Sequence, residues 1–328
     1  MTTNLTTQQD TSHATSTPQK TGKTSVEKIR PDLNLEKWAL WQPAKSRNKK
    51  TRVLVREITN DSGESVIAEV TIGYVDRIGT ITTEDQKTCY ALIKIWEDNG
   101  WPITPTFFSL KKLSRVKKKG WGRNVIDAET HSLTRLRTVP LILKNAYYNS
   151  ATKETFETLD AFNILSDLKI IKRKIDGHVT KEAGYFKFND YILNNLQNNY
   201  TKPLLLEVVL GFKSEIAQIL YTYLDLIMAR RNYYERKTKE LFDDLGLAGE
   251  VEYRYPSGRK RQLEKALNEL KGVRLTTGVI TTIALERTKD GTDYKLIVQK
   301  SARASLSVGE HSQDASEKDA SEGGRERS

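Results

Sequence analysis

A dense run of positive charge is the most distinctive chemical feature of this chain. Seven basic residues lie between positions 111 and 123, a stretch without any acidic residue: Lys111, Lys112, Arg115, Lys117, Lys118, Lys119 and Arg123. Cations spaced this closely can contact successive phosphates of a polyanion and release its condensed counterions. A merely solvated surface is the ordinary alternative, and the elements that carry the run decide between the two interpretations.

A second basic group surrounds the start of a predicted helix in the last third of the chain. Leu263, Leu267 and Leu270 have the spacing of a buried helical stripe, which turns Arg261, Lys265 and Asn268 outward. Such donors can hydrogen-bond base edges in a major groove. We therefore predict that Arg261, Lys265 and Asn268 read bases. The neighbouring cations are predicted to bind phosphate: Arg254, Arg259 and Lys260.

The elements around the first run predict how it is positioned. Cys89, Leu92, Ile93 and Trp96 form the stripe of one helix, which begins after Thr82 or Thr83 and ends at Asn99-Gly100. A short extended segment, 103–108, follows it. Ser109 then caps a short helix that ends near Gly120 and carries most of the run.

A third helix is predicted from about Val125 to Arg137. Ile126, Leu133 and Leu136 would face inward. We expect the opposite face to read bases, through three polar residues: His131, Ser132 and Arg135. Ordinary surface positions are the alternative for each of them.

The same order of elements recurs in the second half. Ser214 caps a helix over 216–227, an extended segment covers 232–234, a short helix covers 237–245, and the helix with the Leu263 stripe follows. Strands over 279–286 and 294–298 form a hairpin. In the first half, hairpins are predicted for 141–162 and for 168–188, after a pair of strands at 54–57 and 66–72.

Helix, short strand, helix, helix and hairpin is the order of a winged helix-turn-helix. We predict an α+β fold with two tandem winged helix-turn-helix domains and disordered N- and C-terminal tails. The assignments are 1–50 as a disordered, basic N-terminal segment, 51–198 and 199–300 as the two domains, and 301–328 as a disordered tail. Two generic small α+β domains are the alternative. The domain hypothesis also requires both third helices to face one side of the molecule.

Composition limits the other classes of function. The net charge is +11 and the sequence pI about 9.4, which favours a polyanionic partner. A single cysteine, Cys89, excludes a disulfide framework and is expected to be a small buried hydrophobe. No apolar run approaches the roughly 20 residues of a membrane span, and no signal-peptide pattern is present. We expect a cytoplasmic protein without membrane contact.

Catalytic signatures are weak. Two of the four histidines lie in the predicted tails, and no HExxH or His-x-His pair occurs. The tyrosine pairs Tyr147-Tyr148 and Tyr233-Tyr234 would need a nearby metal to nick DNA, and cross-strand packing is the more direct interpretation. We predict no enzymatic activity, no metal and no cofactor. A metal-dependent nickase remains an alternative.

Two further sets of cations fit either DNA contact or solvation. Hairpin cations at the expected wings are Lys172, Arg173, Lys174, Arg287 and Lys289. Such residues contact phosphate in some proteins and merely block edge pairing in others. A third acid-free run precedes the first domain and would be a minor-groove arm or a solvated linker: Lys45, Arg47, Lys49, Lys50, Arg52 and Arg56.

Several segments resemble plasmid replication initiators of the Rep and TrfA-like type. Ile81-Thr82-Thr83-Glu84-Asp85-Gln86-Lys87, leading into Ala91-Leu92, is similar to the opening of their first winged helix. Gln218-Ile219-Leu220-Tyr221-Thr222-Tyr223-Leu224-Asp225 is similar to the first helix of their second one. Tyr233-Tyr234-Glu235-Arg236-Lys237, Glu240-Leu241-Phe242 and Asp244-Leu245-Gly246 resemble its continuation. The resemblance covers roughly residues 75–300.

This resemblance implies sequence-specific binding of double-stranded DNA at direct repeats, or iterons, of a plasmid or mobile-element origin. It also implies theta-type initiation in the bacterial cytoplasm, recruitment of host replication machinery such as a helicase, and homodimers that act as autorepressors. A winged-helix transcription regulator without replication activity is the main alternative. A protein whose winged helices bind other proteins is a further one.

Overall fold

The computed structural model describes residues 27–45, 50–59, 63–175 and 178–302, without the side chains of 160, 161, 172–182 and 302. Helices and strands are mixed throughout, as predicted for an α+β chain. The predicted tails lie largely outside these residues. No helix in the described ranges is long and apolar enough to cross a membrane.

The first basic run belongs to a unit of three helices and a three-stranded sheet. Its elements are α2 (Thr83–Asp98), β4 (Thr106–Ser109), α3 (Leu110–Val116), α4 (Arg123–Thr138), β7 (Leu165–Ile175) and β8 (His178–Phe188). The strands are antiparallel in the order β4-β8-β7. A capping box between Thr82 and Asp85 starts α2, and its predicted stripe, Cys89 to Trp96, is buried.

A second sheet combines two strands that precede α2 with two strands that lie between α4 and β7 in the chain. Four antiparallel strands lie in the order β2-β3-β5-β6, with β2 at Arg52–Thr59, β3 at Ser65–Ile72, β5 at Leu141–Asn149 and β6 at Glu154–Phe162. The predicted hairpin over 141–162 is present as β5 and β6, and the strands predicted at 54–57 and 66–72 pair as β2 and β3. Tyr147 of β5 pairs with Phe156 of β6, and their rings stack 6.2 Å apart, which confirms cross-strand packing for this tyrosine.

The second unit repeats the order of helices and strands. Its elements are α7 (Glu215–Ile227), β10 (Tyr233–Lys237), α8 (Thr238–Asp244), α9 (Pro256–Leu270), β11 (Arg274–Leu275), β12 (Gly278–Arg287) and β13 (Tyr294–Ala302). The sheet order is β10-β13-β12-β11. Leu263, Leu267 and Leu270 are buried, as their spacing predicted.

The N-terminal segment differs from its prediction as disordered up to residue 50. Residues 28–45 include β1 (Lys28–Ile29) and α1 (Leu33–Lys37), which Asp32 caps through the backbone N–H of Asn34. Ile29, Trp38 and Trp41 are buried. A five-residue helix makes less than two turns, so it leaves no periodicity in the sequence.

A connecting segment joins the units and receives the N-terminal strand. It contains α5 (Asp190–Gln197), β9 (Leu204–Leu205) and α6 (Leu206–Gly211). β1 pairs with β9 in an antiparallel register that sets Ile29 opposite Leu204. The boundary predicted at 198/199 therefore falls at the end of α5, and chain from before residue 51 packs on both sides of it.

Buried hydrogen bonds also join the two units directly. Gln218 of α7 donates to the carbonyl of Thr83 at 2.9 Å and to the Gln86 side chain at 2.7 Å. Lys87 of α2 adds a bond to the connecting segment, donating to the carbonyl of Phe212 after α6 at 2.7 Å. Because the first helix of each unit takes part, these bonds fix one unit against the other.

Candidate nucleic-acid interface

The 111–123 run covers α3 and the turn that leads into α4. Lys111, Arg115, Lys118 and Arg123 are exposed, and Lys112 is partly buried. Ser109 caps α3 by accepting the backbone N–H of Lys112 at 3.1 Å, as predicted. Six of the seven cations of this run therefore reach solvent at least in part, and Lys117 does not.

Lys117 is the correction within this run. Its side chain is buried, and Nζ donates to Glu129 Oε2 at 2.8 Å and to Thr88 Oγ1 at 2.7 Å. Burial lowers the pKa of Lys117, while the Glu129 carboxylate opposes that change. Lys117 therefore joins α3 to α2 and α4 and does not face a duplex.

The two lysines that follow make pairs nearer the surface. Lys118 contacts Glu207 at 2.8 Å, with both side chains about half exposed, and Lys119 contacts Glu84 at 2.6 Å. Exposed ion pairs of this kind contribute about 0–1 kcal/mol, so a phosphate can replace the carboxylate at little cost. Lys118 in particular remains available for phosphate contact.

The third helix of the first unit is rotated relative to its predicted outward face. Ser132 is buried, and its hydroxyl donates to Asp85 Oδ1 at 2.5 Å, so its prediction as a base-reading residue is corrected. Arg135 is only partly exposed and pairs with both oxygens of Asp85 at 2.8 Å. His131 is exposed as predicted, in line with Asn124 and Ala128. Buried polar side chains, which the aliphatic stripe does not reveal, set this rotation.

The third helix of the second unit matches its prediction more closely. Arg261, Lys265 and Asn268 are all exposed on α9. Lys260 is partly exposed and pairs with Glu264 at 3.4 Å, and the exposed Arg254 lies over the ring of Tyr255 at 5.8 Å. α9 thus presents a continuous face with free donors.

Arg259 is the correction in this second group. It is buried, and its guanidinium donates to the carbonyls of Tyr253 and Arg254 and to Asp293 Oδ1, each at 3.0 Å. Burial alone would raise the pKa of Asp293. Hydrogen bonds from Thr238, the Lys239 N–H and Arg259 instead hold it below its ordinary value. Arg259 therefore fixes the start of α9 to the hairpin.

One glycine permits the close packing at this helix start. A Cβ on Gly258 would lie 2.3 Å from the carbonyl oxygen of Glu252 in the short 3₁₀ turn Val251–Tyr253. Any larger residue would push that turn away from the first turn of α9. The position of Arg254 and Tyr255 beside the exposed helix face depends on this contact.

Two of the preamble cations, Arg52 and Arg56, are structural, whereas Lys45 and Lys50 are exposed. Arg56 donates to the carbonyls of Lys37 at 2.6 Å and Asp244 at 2.7 Å, and Arg52 donates to those of Leu40 and Gly246. These two guanidiniums connect the N-terminal segment to the second unit and do not form a free arm. Arg47 and Lys49 lie outside the described residues.

Of the hairpin cations, the structure describes the side chains of Arg287 and Lys289. Arg287 donates to the carbonyl of Gly291 at 3.1 Å, and Lys289 is exposed at the turn. The side chains of Lys172, Arg173 and Lys174 lie outside the described part of the chain. Only the second hairpin can therefore be assigned free charge at its tip.

Groups suited to covalent or metal chemistry are placed as follows. Cys89 is buried, as predicted, and burial raises the pKa of its thiol. The hydroxyl of the buried Tyr147 donates to Asp32 at 3.1 Å. In the ranges that the structure describes, no group of three or more His, Cys, Asp and Glu side chains is placed to hold a metal ion.

Comparison with solved structures places this architecture. Domains 2 and 3 of RctB, as a selenomethionine derivative, align with a TM-score of 0.55 and 16% identity over 81% of this chain and 98% of that one. A second structure of RctB domains 2-3 aligns with a TM-score of 0.48 and 16% identity over 79% of this chain and 95% of that one. The Pi initiator protein in complex with iteron DNA aligns with a TM-score of 0.42 and 17% identity over 78% of this chain and 99% of that one.

No protein-family model matches the chain, and no curated protein does so either. The structural similarity is therefore the one comparison that gives a match, and at 16% sequence identity it shows the fold alone. This chain has the fold of RctB domains 2 and 3, and its resemblance to replication initiators is confirmed at the level of the fold.

Proposed function

We propose that the two units are winged helix-turn-helix domains that together bind double-stranded DNA at direct repeats of a plasmid or mobile-element origin and initiate its replication. One observation carries the proposal. Two units with the same order of elements each place exposed cations on, or directly before, their third helix. Third helices of helix-turn-helix domains enter the major groove with the N-terminal part towards the bases.

The exposed side chains divide into those that contact phosphate and those that read bases. Lys111, Arg115, Lys118 and Arg123 provide salt-dependent affinity for phosphate, whereas Arg261, Lys265 and Asn268 supply donors for base edges. In the first unit, Asn124 and His131 occupy the exposed face of α4 and are the base-reading pair. These roles require no catalytic group, so the protein acts by binding and not as an enzyme.

Initiation is proposed over plain regulation because the fold of RctB domains 2 and 3 covers 81% of the chain, units and junction together. The sequence resemblance to plasmid initiators extends over the same units. Several copies on adjacent repeats would concentrate protein beside the segment to be opened. Recruitment of a host helicase and autorepression by homodimers belong to the same proposal.

Mutation of the α9 face tests DNA binding. We expect Arg261→Ala with Lys265→Ala to abolish the footprint on repeat-containing DNA from beside the gene, because both side chains are exposed and neither has a partner among the residues that the structure describes. Lys144→Ala with Lys213→Ala removes the same charge outside the third helices and should leave the footprint intact. An unchanged footprint in the first variant would show that α9 does not read the site.

A replication assay separates an initiator from a regulator. A replicon that lacks its own origin, supplied with this gene and its flanking repeats, should be maintained by the wild-type gene and lost with the α9 double variant. A regulator would bind the repeats without maintaining the replicon. Incubation of supercoiled plasmid with protein and Mg²⁺ tests the nickase alternative, since open circles would contradict a pure binding role.

A further inference from the structure

Trp121 stands apart from the other tryptophans of the chain. Trp38, Trp41 and Trp96 are buried, and Trp101, although 41% exposed, packs against Trp96 with ring centroids 4.9 Å apart. Trp121 is 48% exposed, and no ring contact or side-chain hydrogen bond involves it within the described ranges. The exposed part of this indole ring leaves apolar surface in contact with water, where it contributes little to the stability of the fold.

The backbone on both sides of Trp121 is fixed. Before it, the Ser114 hydroxyl donates to the carbonyls of Lys119 at 3.2 Å and Gly120 at 2.8 Å. After it, the carbonyl of Gly122 accepts the N–H groups of Val125 and Ile126, both at 3.0 Å, at the start of α4. The backbone that carries Trp121 is therefore held in the turn between α3 and α4, and about half of the residue is exposed to solvent.

The surroundings of the ring are cationic and open. Lys118 and Arg123 are exposed and lie within three residues of Trp121, so their Cα atoms are at most about 11 Å from its own. A Cβ at Gly120 or Gly122 would meet no atom within 4 Å. The glycines on either side carry no side chain that could cover the exposed part of the indole, which remains open to a partner.

We propose that Trp121 packs against the sugar–phosphate backbone of bound duplex DNA, between the phosphates held by Lys118 and Arg123. This contact deepens the proposed function and depends on it. The deoxyribose offers an apolar surface beside each phosphate, and Trp121 is the apolar group in a turn otherwise built to hold phosphates. The contact is independent of base sequence because every nucleotide presents the same sugar.

The contact has a signature that distinguishes it from its charged neighbours. Removing a cation lowers both the affinity and the slope of log K against log salt, since fewer counterions are released. Removing Trp121 lowers the affinity and leaves the slope unchanged. The expected loss is about tenfold, which corresponds to some 60 Å² of apolar surface at about 25 cal/mol per Å².

The experiment measures affinity for repeat-containing duplex across a salt series with Trp121→Ala, Trp121→Phe and Arg123→Ala. Trp121→Ala should bind about tenfold more weakly at every salt concentration, for specific and unrelated duplexes alike. Trp121→Phe should retain most of the affinity. Arg123→Ala should reduce the slope by about one phosphate contact. Thermal unfolding should be unchanged for all three, since each side chain is exposed.

Tryptophan fluorescence supplies a second readout on the full chain. Addition of duplex should shift or quench wild-type emission, and Trp121→Phe should lack most of that change. If Trp121→Ala binds like wild type, or if it alters the salt slope, the backbone contact is wrong while DNA binding stands. If the wild-type protein binds no duplex in a salt-dependent way, the proposed function itself fails.

Discussion

At the scale of single residues, neighbouring cations in one run have opposite roles. Arg259 and Arg261 lie two positions apart on α9, yet the first is buried against Asp293 and the second is exposed. Lys117 and Lys118 show the same contrast in the first unit. For Arg259 and Arg261, helical periodicity explains the contrast, because residues two positions apart on a helix lie about 200° apart around the axis. Lys117 and Lys118 instead follow the end of α3, where Lys118 has a positive φ of 55°.

The Arg259–Arg261 pair gives the first prediction. Arg259→Ala should lower the free energy of unfolding by about 3 kcal/mol, because it leaves the buried Asp293 carboxylate without its cation. Arg261→Ala should change it by less than about 0.5 kcal/mol and weaken DNA binding instead. Denaturant unfolding and gel shift measure the two effects. Equal stabilities of the two variants would contradict the assignment.

The buried Lys117 gives the second. Lys117→Ala should destabilise the fold by about 3 kcal/mol, because the buried Glu129 then keeps only the distant Lys119, at 3.9 Å, as its cation. Lys118→Ala should leave stability unchanged and reduce the salt dependence of DNA binding by about one phosphate. Unfolding curves and a salt titration of both variants provide the check. A stable Lys117→Ala with a lower salt slope would place Lys117 at the DNA after all.

At the scale of elements, local sequence signals predicted the helices, whereas contacts between residues far apart in the chain could not be predicted. The stripe Leu263, Leu267 and Leu270 and the caps Ser109 and Ser214 predicted helices correctly, because a stripe and a cap are encoded within a few residues. The roles of Ser132 and Arg259 depend on partners 47 and 34 residues away. No spacing rule in the sequence connects such pairs.

The N-terminal segment shows the same limit. Its helix α1 is too short for periodicity, and its strand β1 consists of two residues that pair with β9 across the first unit. Low complexity over residues 1–30, followed by a basic run, predicted that the whole segment to residue 50 was disordered. Trp38 and Trp41, now buried, were the signal available in the sequence, because two tryptophans are unusual in a solvated linker.

Asp32 makes the docking of this segment dependent on pH. Burial raises the pKa of Asp32 from 3.8 to about 6, although hydrogen bonds from Asn195, Asn34 and Tyr147 oppose the change. The folded state therefore holds a proton that the unfolded state releases between about pH 4 and 6. In that window, the contribution of Asp32 to stability increases as pH falls, by up to about 3 kcal/mol in total.

The third prediction isolates this effect from the other carboxylates. The unfolding free energy of wild type minus that of Asp32→Asn should rise by about 2–3 kcal/mol between pH 7 and pH 4, because the asparagine does not titrate. Denaturant unfolding of both proteins at matched pH values measures the difference. Parallel pH profiles would indicate that Asp32 is not the group that takes up the proton.

At the scale of the whole molecule, several contacts hold the two units against each other. Gln218 joins the first helices of the two units, and Lys87 joins α2 to Phe212 at the end of the connecting segment. Arg52 and Arg56 attach the N-terminal segment to the second unit, and β1 pairs with β9 in the connecting segment. Because these contacts are buried or multiple, the distance between α4 and α9 is set by the fold and not by a flexible linker.

The fourth prediction concerns the spacing of the DNA site. Two reading helices held at a fixed distance require their contacts to lie on one face of the duplex, about 10–10.5 base pairs apart. Insertion of five base pairs between the two protected segments turns one half by about 180° and should abolish binding, whereas a flexible pair of domains would tolerate the insertion. Footprinting and gel shift on the native and extended repeats measure the outcome.

Gln218→Ala, which removes bonds between the units, should partly restore binding to the extended repeat if rigidity is the cause. Equal affinity of the wild-type protein for both repeats would mean that the units move independently despite these contacts.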